Sequence, residues 1–169
     1  MINNTTTHDM KIKDFIPFAT SKNLTRFGNK YAAIMGFGKS STLEVNDKGE
    51  IYIEDSKEIF NFLLLRDSII KDLAISFKVY ATKSISKPIK IKAQLYKSKD
   101  KKFIPINGAK VLSKDTYVLL GEEISFSEED LNISVEKGYK LILGITFISE
   151  YHQYPFDIKG YISGGLSLA

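Results

Sequence analysis

The feature that most constrains this chain is a hydrophobic repeat of two residues along much of its length. Leu73, Ile75, Phe77 and Val79 are apolar, whereas Ala74, Ser76, Lys78 and Tyr80 between them are small, charged or amphipathic. Ile89, Ile91, Ala93 and Leu95 alternate in the same way with Lys90, Lys92, Gln94 and Tyr96. Successive side chains of a strand point to opposite faces, so each run builds a strand with one buried and one wet face. Pro88 stands at the head of the second run, where a missing N–H is tolerated. Ile51 and Ile53, Phe60 to Leu64, Ile124 and Phe126, and Leu131, Ile133 and Val135 are shorter runs of the same kind. Turn signals separate them at Asn46-Asp47-Lys48-Gly49, Lys97 to Asp100, Asn107-Gly108 and Lys137-Gly138. Ser127-Glu128-Glu129-Asp130 resembles a helix start but leads straight into alternation, so one turn is the most it predicts. The expected fold is all-β, an antiparallel β-sandwich.

Three segments are apolar on both sides: Tyr31 to Phe37, Tyr139 to Ile148 and Phe156 to Leu168. A sheet with one wet face does not require that, so these strands lie either within the core or under another subunit. Tyr151, Tyr154, Phe156 and Tyr161 crowd the approach to the last strand and the strand itself. They fit an interface anchor, a sugar-stacking platform or ordinary core.

Composition removes much of catalytic chemistry. The 169 residues make one domain, and 53 of them are Leu, Ile, Val or Phe, enough for a core and too many for a disordered chain. There is no Cys, hence no thiol nucleophile, disulfide or thiolate metal site. The two histidines, His8 and His152, cannot build a multi-histidine metal centre within one chain. His8-Asp9 reads as solvated, and His152 with Glu150 and Asp157 as a loop. Gly36-Phe37-Gly38-Lys39-Ser40 ends like a phosphate-binding loop, but Ala33 stands where that motif needs its first Gly. No catalytic residue, cofactor or metal is expected. No apolar run of 18 residues predicts a membrane span, and the opening residues contain no apolar core of an export signal, which predicts retention in the cytoplasm.

Charge is unevenly distributed. The net charge is +4, from 22 Lys, two Arg (Arg26 and Arg66) and 20 acidic residues. Lysine without an arginine cluster argues against a nucleic-acid reader. Residues 71–114 carry twelve Lys against Asp72 and Asp100, whereas 115–136 carry seven carboxylates and no base. These are solvated outer faces or complementary surfaces between subunits.

Residues 1–14 are polar and predict a flexible arm, followed by a folded unit over 15–169. Several strings in order resemble the BclB-type C-terminal domain of collagen-like exosporium glycoproteins on bacterial spores. They are Ile16-Pro17-Phe18-Ala19, Met35-Gly36-Phe37-Gly38, Phe60-Asn61-Phe62 with Arg66-Asp67, Ala93-Gln94-Leu95-Tyr96 with Phe103-Ile104-Pro105 and Gly108-Ala109-Lys110-Val111, and Gly160-Tyr161-Ile162-Ser163-Gly164-Gly165.

The resemblance implies a jelly roll of the tumour-necrosis-factor-like type, a homotrimer at the spore surface and no catalytic centre. It departs from the family in lacking a Gly-x-y stalk and in carrying Lys and Ile where family strands favour small residues. On this footing the trimer interface is expected at Tyr31, Ile34, Phe37, Tyr151, Tyr154, Phe156, Tyr161 and Leu166. The arm, through Ile2, Met10, Ile12 and Phe15, is expected to link trimers head to tail. The expected function is a structural, self-assembling protein of the exosporium or a spore appendage. Its expected partners are further copies of itself and other spore-surface or collagen-like proteins, and it is made in the mother-cell cytoplasm. The alternative is a carbohydrate- or receptor-binding tip of a surface or phage fibre.

Overall fold

The computed structural model describes residues 14–19, 31–36, 39–54, 61–82, 87–149 and 158–169. Within them are twelve strands and no helix: β1 (Asp14–Ala19), β2 (Tyr31–Met35), β3 (Ser40–Glu44), β4 (Ile51–Tyr52), β5 (Phe62–Leu63), β6 (Ser68–Thr82), β7 (Lys90–Ser98), β8 (Lys102–Leu112), β9 (Glu123–Glu128), β10 (Ile133–Val135), β11 (Lys140–Ile148) and β12 (Ile158–Leu168). They form two antiparallel sheets. The first runs β1-β12-β6, with β9 and β10 both pairing to the far side of β6. The second runs β3-β2-β11-β7-β8-β4, with β5 added on β11. The chain crosses between the sheets from β6 to β7, from β8 to β9, from β10 to β11 and from β11 to β12, while β7 and β8 form a hairpin, the order of an antiparallel jelly-roll β-sandwich.

The alternating residues are the reason these strands stack as two layers. Leu73, Ile75, Phe77 and Val79 of β6 face Ile91, Ala93 and Leu95 of β7 and Leu141, Leu143, Ile145 and Phe147 of β11 in one continuous core. Phe77 meets Phe147 edge to face at 5.5 Å between ring centres. Burying each such side chain stabilises the fold by about 1.5–3 kcal/mol. At Gly160 an added Cβ would sit 2.6 Å from the Lys78 carbonyl oxygen, so β12 lies on β6 more closely there than any other residue allows.

The both-sided apolarity of β2 and β11 has an internal explanation. An antiparallel bridge between Val45 and Ile51 joins the end of β3 to β4, so the second sheet curls into a ring. Ala32, Ile34, Leu43, Ile51, Tyr96, Phe103 and Ile142, drawn from all six strands of that ring, form a second core inside the curl. Ile34 has no exposed surface and is therefore no subunit contact, which corrects the sequence expectation. The chain covers the outer face of its own β2 and β11.

The turns follow the sequence with one exception. Asn46 Oδ1 accepts from the N–H groups of Lys48 and Glu50, and Gly49 takes φ 77°. Gly138 takes φ 83° between β10 and β11. Asn107-Gly108 is not a hairpin turn but lies inside β8, where Ile106 to Ala109 bulge out opposite Leu95. Gly108 at φ 81° makes that bulge possible, and the buried Gln94 amide plugs it. The run Ser127 to Asp130 is not helical. It leads from β9 into a bend, with Asp130 and Asn132 left-handed at φ 56° and 53°.

Candidate functional site

The outer face of the first sheet can be built residue by residue from its register. Pro17, Gly165, Ala74 and Ser127 lie side by side across β1, β12, β6 and β9, and Ala19, Ser163, Ser76 and Ser125 form the next row. None of these eight residues is charged or large, in a chain with 22 Lys. Six of them, those on β12, β6 and β9, floor a shallow depression of about 510 Å³. Large groups stand at both ends. At one end Tyr161, Lys78 and Glu123 make the adjoining row, and exposed Tyr80 meets Tyr161 edge to face at 6.1 Å. At the other end the Phe15 ring lies over Gly165 and remains 66% exposed, beside Ser167 and Asp72.

The carboxylates that border this face are held in place. Glu123 accepts a hydrogen bond of 2.6 Å from Ser76 Oγ. Asp72 accepts from Ser167 Oγ and from the Asp130 N–H. The N-terminal end of β1 is tied down by the Arg66–Asp14 ion pair. A broad, uncharged, small-residue surface between aromatic borders lets another protein surface approach closely without stranding a charge.

The expected interface residues scatter. Tyr161 is 47% exposed on this face. Tyr31 is exposed but sits on β2, opposite Glu44 on the other sheet. Leu166 points between the sheets with no exposed surface and, like Ile34, is not a subunit contact. Phe37, Tyr151, Tyr154 and Phe156 lie outside the described residues, as do Ile2, Met10 and Ile12 of the arm. Phe15 is a strand residue, paired with Ser167, within β1, which spans Asp14–Ala19. Tyr80 and the small-residue rows were not singled out from the sequence. Their signal is the even-numbered face of β6, Ala74-Ser76-Lys78-Tyr80, where two small residues precede a lysine and an exposed tyrosine.

His8, Asp9, Glu150, His152 and Asp157 also lie outside the described residues. Among the described residues no group of three or more His, Asp or Glu side chains is placed to hold a metal ion, and no helix is long and apolar enough to cross a membrane. Four carboxylates of the acidic run, Glu123, Glu128, Glu129 and Asp130, lie on β9 and its connection to β10, strands that among the described residues pair with β6 alone; carboxylates along such an edge discourage further strand pairing.

Fold and surface together define a jelly-roll sandwich with one uncharged, small-residue sheet face. No family model and no curated protein matches the chain. Among solved structures it is similar to a chain of infectious bursal disease virus, Gx strain, at 10% identity and a TM-score of 0.39 over 92% of this chain and 33% of that one. The Gt strain of the same virus gives 6% identity and a TM-score of 0.42 over 94% and 35%. The chain thus spans about a third of the length of those two. A chain of Broad Bean Stain Virus gives 8% identity and a TM-score of 0.38 over 99% and 91%.

Proposed function

We propose that this protein is a structural, self-assembling, non-catalytic component of the bacterial spore surface, and that its working unit is a homotrimer joined through the outer face of the first sheet. The observation that carries the assembly is the pair of small-residue rows, Pro17-Gly165-Ala74-Ser127 and Ala19-Ser163-Ser76-Ser125, bordered by Phe15, Tyr80 and Tyr161. A solvated sheet face in so lysine-rich a chain has no reason to exclude charge from eight adjacent positions. A face that packs against its own copies does, because a desolvated unpaired charge costs several kcal/mol. The spore surface as the setting is supported by the resemblance to BclB-type domains. Residues preceding Asp14 supply the link between trimers, and other spore-surface or collagen-like proteins are the further partners.

Sedimentation velocity on Ala74→Lys/Ser163→Lys tests the interface. Both positions lie on the outer face, so the fold tolerates the change while the trimer dissociates to monomer. A double variant that sediments as the wild-type trimer contradicts the assignment. Immunogold labelling of sporulating cells tests the setting, with gold expected on the outer spore layers; label confined to the vegetative cytoplasm contradicts it.

A further inference from the structure

A threefold ring makes a geometric demand that a single face does not meet. In a closed ring of three copies every junction joins two different surfaces of the chain, one from each neighbour. The small-residue face supplies one of them, a hollow with little side-chain bulk. Its counterpart must be bulky, apolar, rigid and placed where one copy can offer both surfaces at once.

The connection from β8 to β9 has these properties. Tyr117, Leu119 and Leu120 are 56%, 62% and 70% exposed. Between them Val118 is buried in the main core and pins the segment to the sandwich. Leu119 to Glu122 then form a tight turn, in which the Glu122 N–H donates to the Leu119 carbonyl at 3.2 Å and Gly121 takes φ 84°. Two further backbone bonds tie the turn to β6, from the Gly121 N–H to the Val79 carbonyl at 3.0 Å and from the Val79 N–H to the Glu122 carbonyl at 2.8 Å. Exposed turns are ordinarily built from Gly, Pro, Asn, Asp and Ser. This one presents two adjacent leucines, and neither belongs to either of the chain's cores.

The position fits as well. β9 starts directly after the turn, at Glu123, in the row with Lys78 and Tyr161 that ends the small-residue face. Exposed Tyr80, next to Val79, continues the apolar surface from the turn to that face. The bonds to Val79 hold the turn beyond the row, and neither leucine lines the depression of its own copy.

We propose that the Leu119–Leu120 turn of each copy seats in the small-residue depression of the next, so that the trimer closes through three identical knob-in-hollow junctions. The assignment rests on the trimer reading and supplies the half of the junction which that reading leaves open. Two leucine side chains bring bulk to a floor of small residues, and no charge is desolvated on either side.

Complementation between variants is the test, read by light scattering on the full chain. Leu119→Asp/Leu120→Asp keeps the hollow and loses the knob, whereas Ala74→Lys/Ser163→Lys keeps the knob and loses the hollow. Each alone is expected at the single-chain mass. Mixed in equal amounts they restore one junction of the three and give twice the 19.1 kDa chain mass, a species that misfolded chains cannot form. Leu119→Ser/Leu120→Ser, whose residues suit an exposed turn, behaves as the Asp pair does. Leucine variants that remain trimeric while Ala74→Lys/Ser163→Lys is monomeric would overturn this junction and leave the trimer reading standing. Mixtures of either leucine variant with Ala74→Lys/Ser163→Lys that stay at the single-chain mass would overturn it too. A monomeric wild-type chain would remove both readings together.

Discussion

At the scale of single residues, Gln94 shows how much one polar side chain can hold. Its Nε2 lies 3.0, 2.9 and 3.0 Å from the carbonyl oxygens of Leu95, Ile106 and Ala109, closing the mouth of the β8 bulge. A buried carbonyl left without a donor costs about 1–3 kcal/mol. Gln94→Leu therefore destabilises the protein by about 3 kcal/mol or more, read as a lower denaturant midpoint with an unchanged slope. Tyr96 gives a prediction in pH. Its folded pKa is raised from 10.0 to about 12 by burial, so the fold favours the neutral phenol. That contribution is complete below pH 10.0 and is lost as pH rises through about 12, a span worth roughly 2–3 kcal/mol. Alkaline unfolding followed by phenolate absorbance should show one Tyr ionising with the transition. Tyr96→Phe should remove that part of the pH dependence; an identical profile in the variant would contradict it. Gln94 and Tyr96 alternate with Ala93 and Leu95 in the sequence, which located them on the outer side of β7. What covers that side depends on a ring closure that no local pattern records.

At the scale of elements, β6, β9 and β10 were legible because one face of each is wet, and β7 was legible because its residues alternate in polarity, although the Gln94 and Tyr96 side is buried as well. β3 was not. Ser40-Ser41-Thr42-Leu43-Glu44 has a single buried side chain, Leu43, and its strand character comes from pairing with β2. Asn107-Gly108 misled for the opposite reason: the dipeptide favours positive φ, and it meets that requirement in a bulge as well as in a turn. The both-sided apolar strands were recognised, but the choice between own core and subunit contact needed the Val45–Ile51 bridge, a contact of the fold and not of the sequence. β1 also redraws the arm. Asp14 pairs with Leu168 and with Arg66, so a deletion that spares the folded unit ends at residue 13. Removing residues 2–13 should leave trimers intact and abolish their end-to-end assembly in electron micrographs. Truncated protein that still forms the same fibres would show that the arm is not the connector.

At the scale of the whole molecule, the antiparallel sandwich was legible from periodicity and turn spacing, its jelly-roll order was what the resemblance implied, and the face proposed here as the interface shares only Tyr161 with the contact residues expected from the sequence. Of the expected contact residues Tyr161 lies on the small-residue face, whereas Ile34 and Leu166 are consumed by the chain's two cores. Interfaces resemble cores in being apolar, so a sequence cannot separate the two where a sheet curls over itself. What distinguishes the proposed interface is an absence of size and charge across four neighbouring strands, a property of register. In the proposed trimer the exposed aromatics Phe15, Tyr80 and Tyr161 are the anchors around a flat centre. The solution mass of the purified full chain tests this most directly. Light scattering across a dilution series should give three times the 19.1 kDa chain mass, and a single-chain mass at every concentration would contradict it.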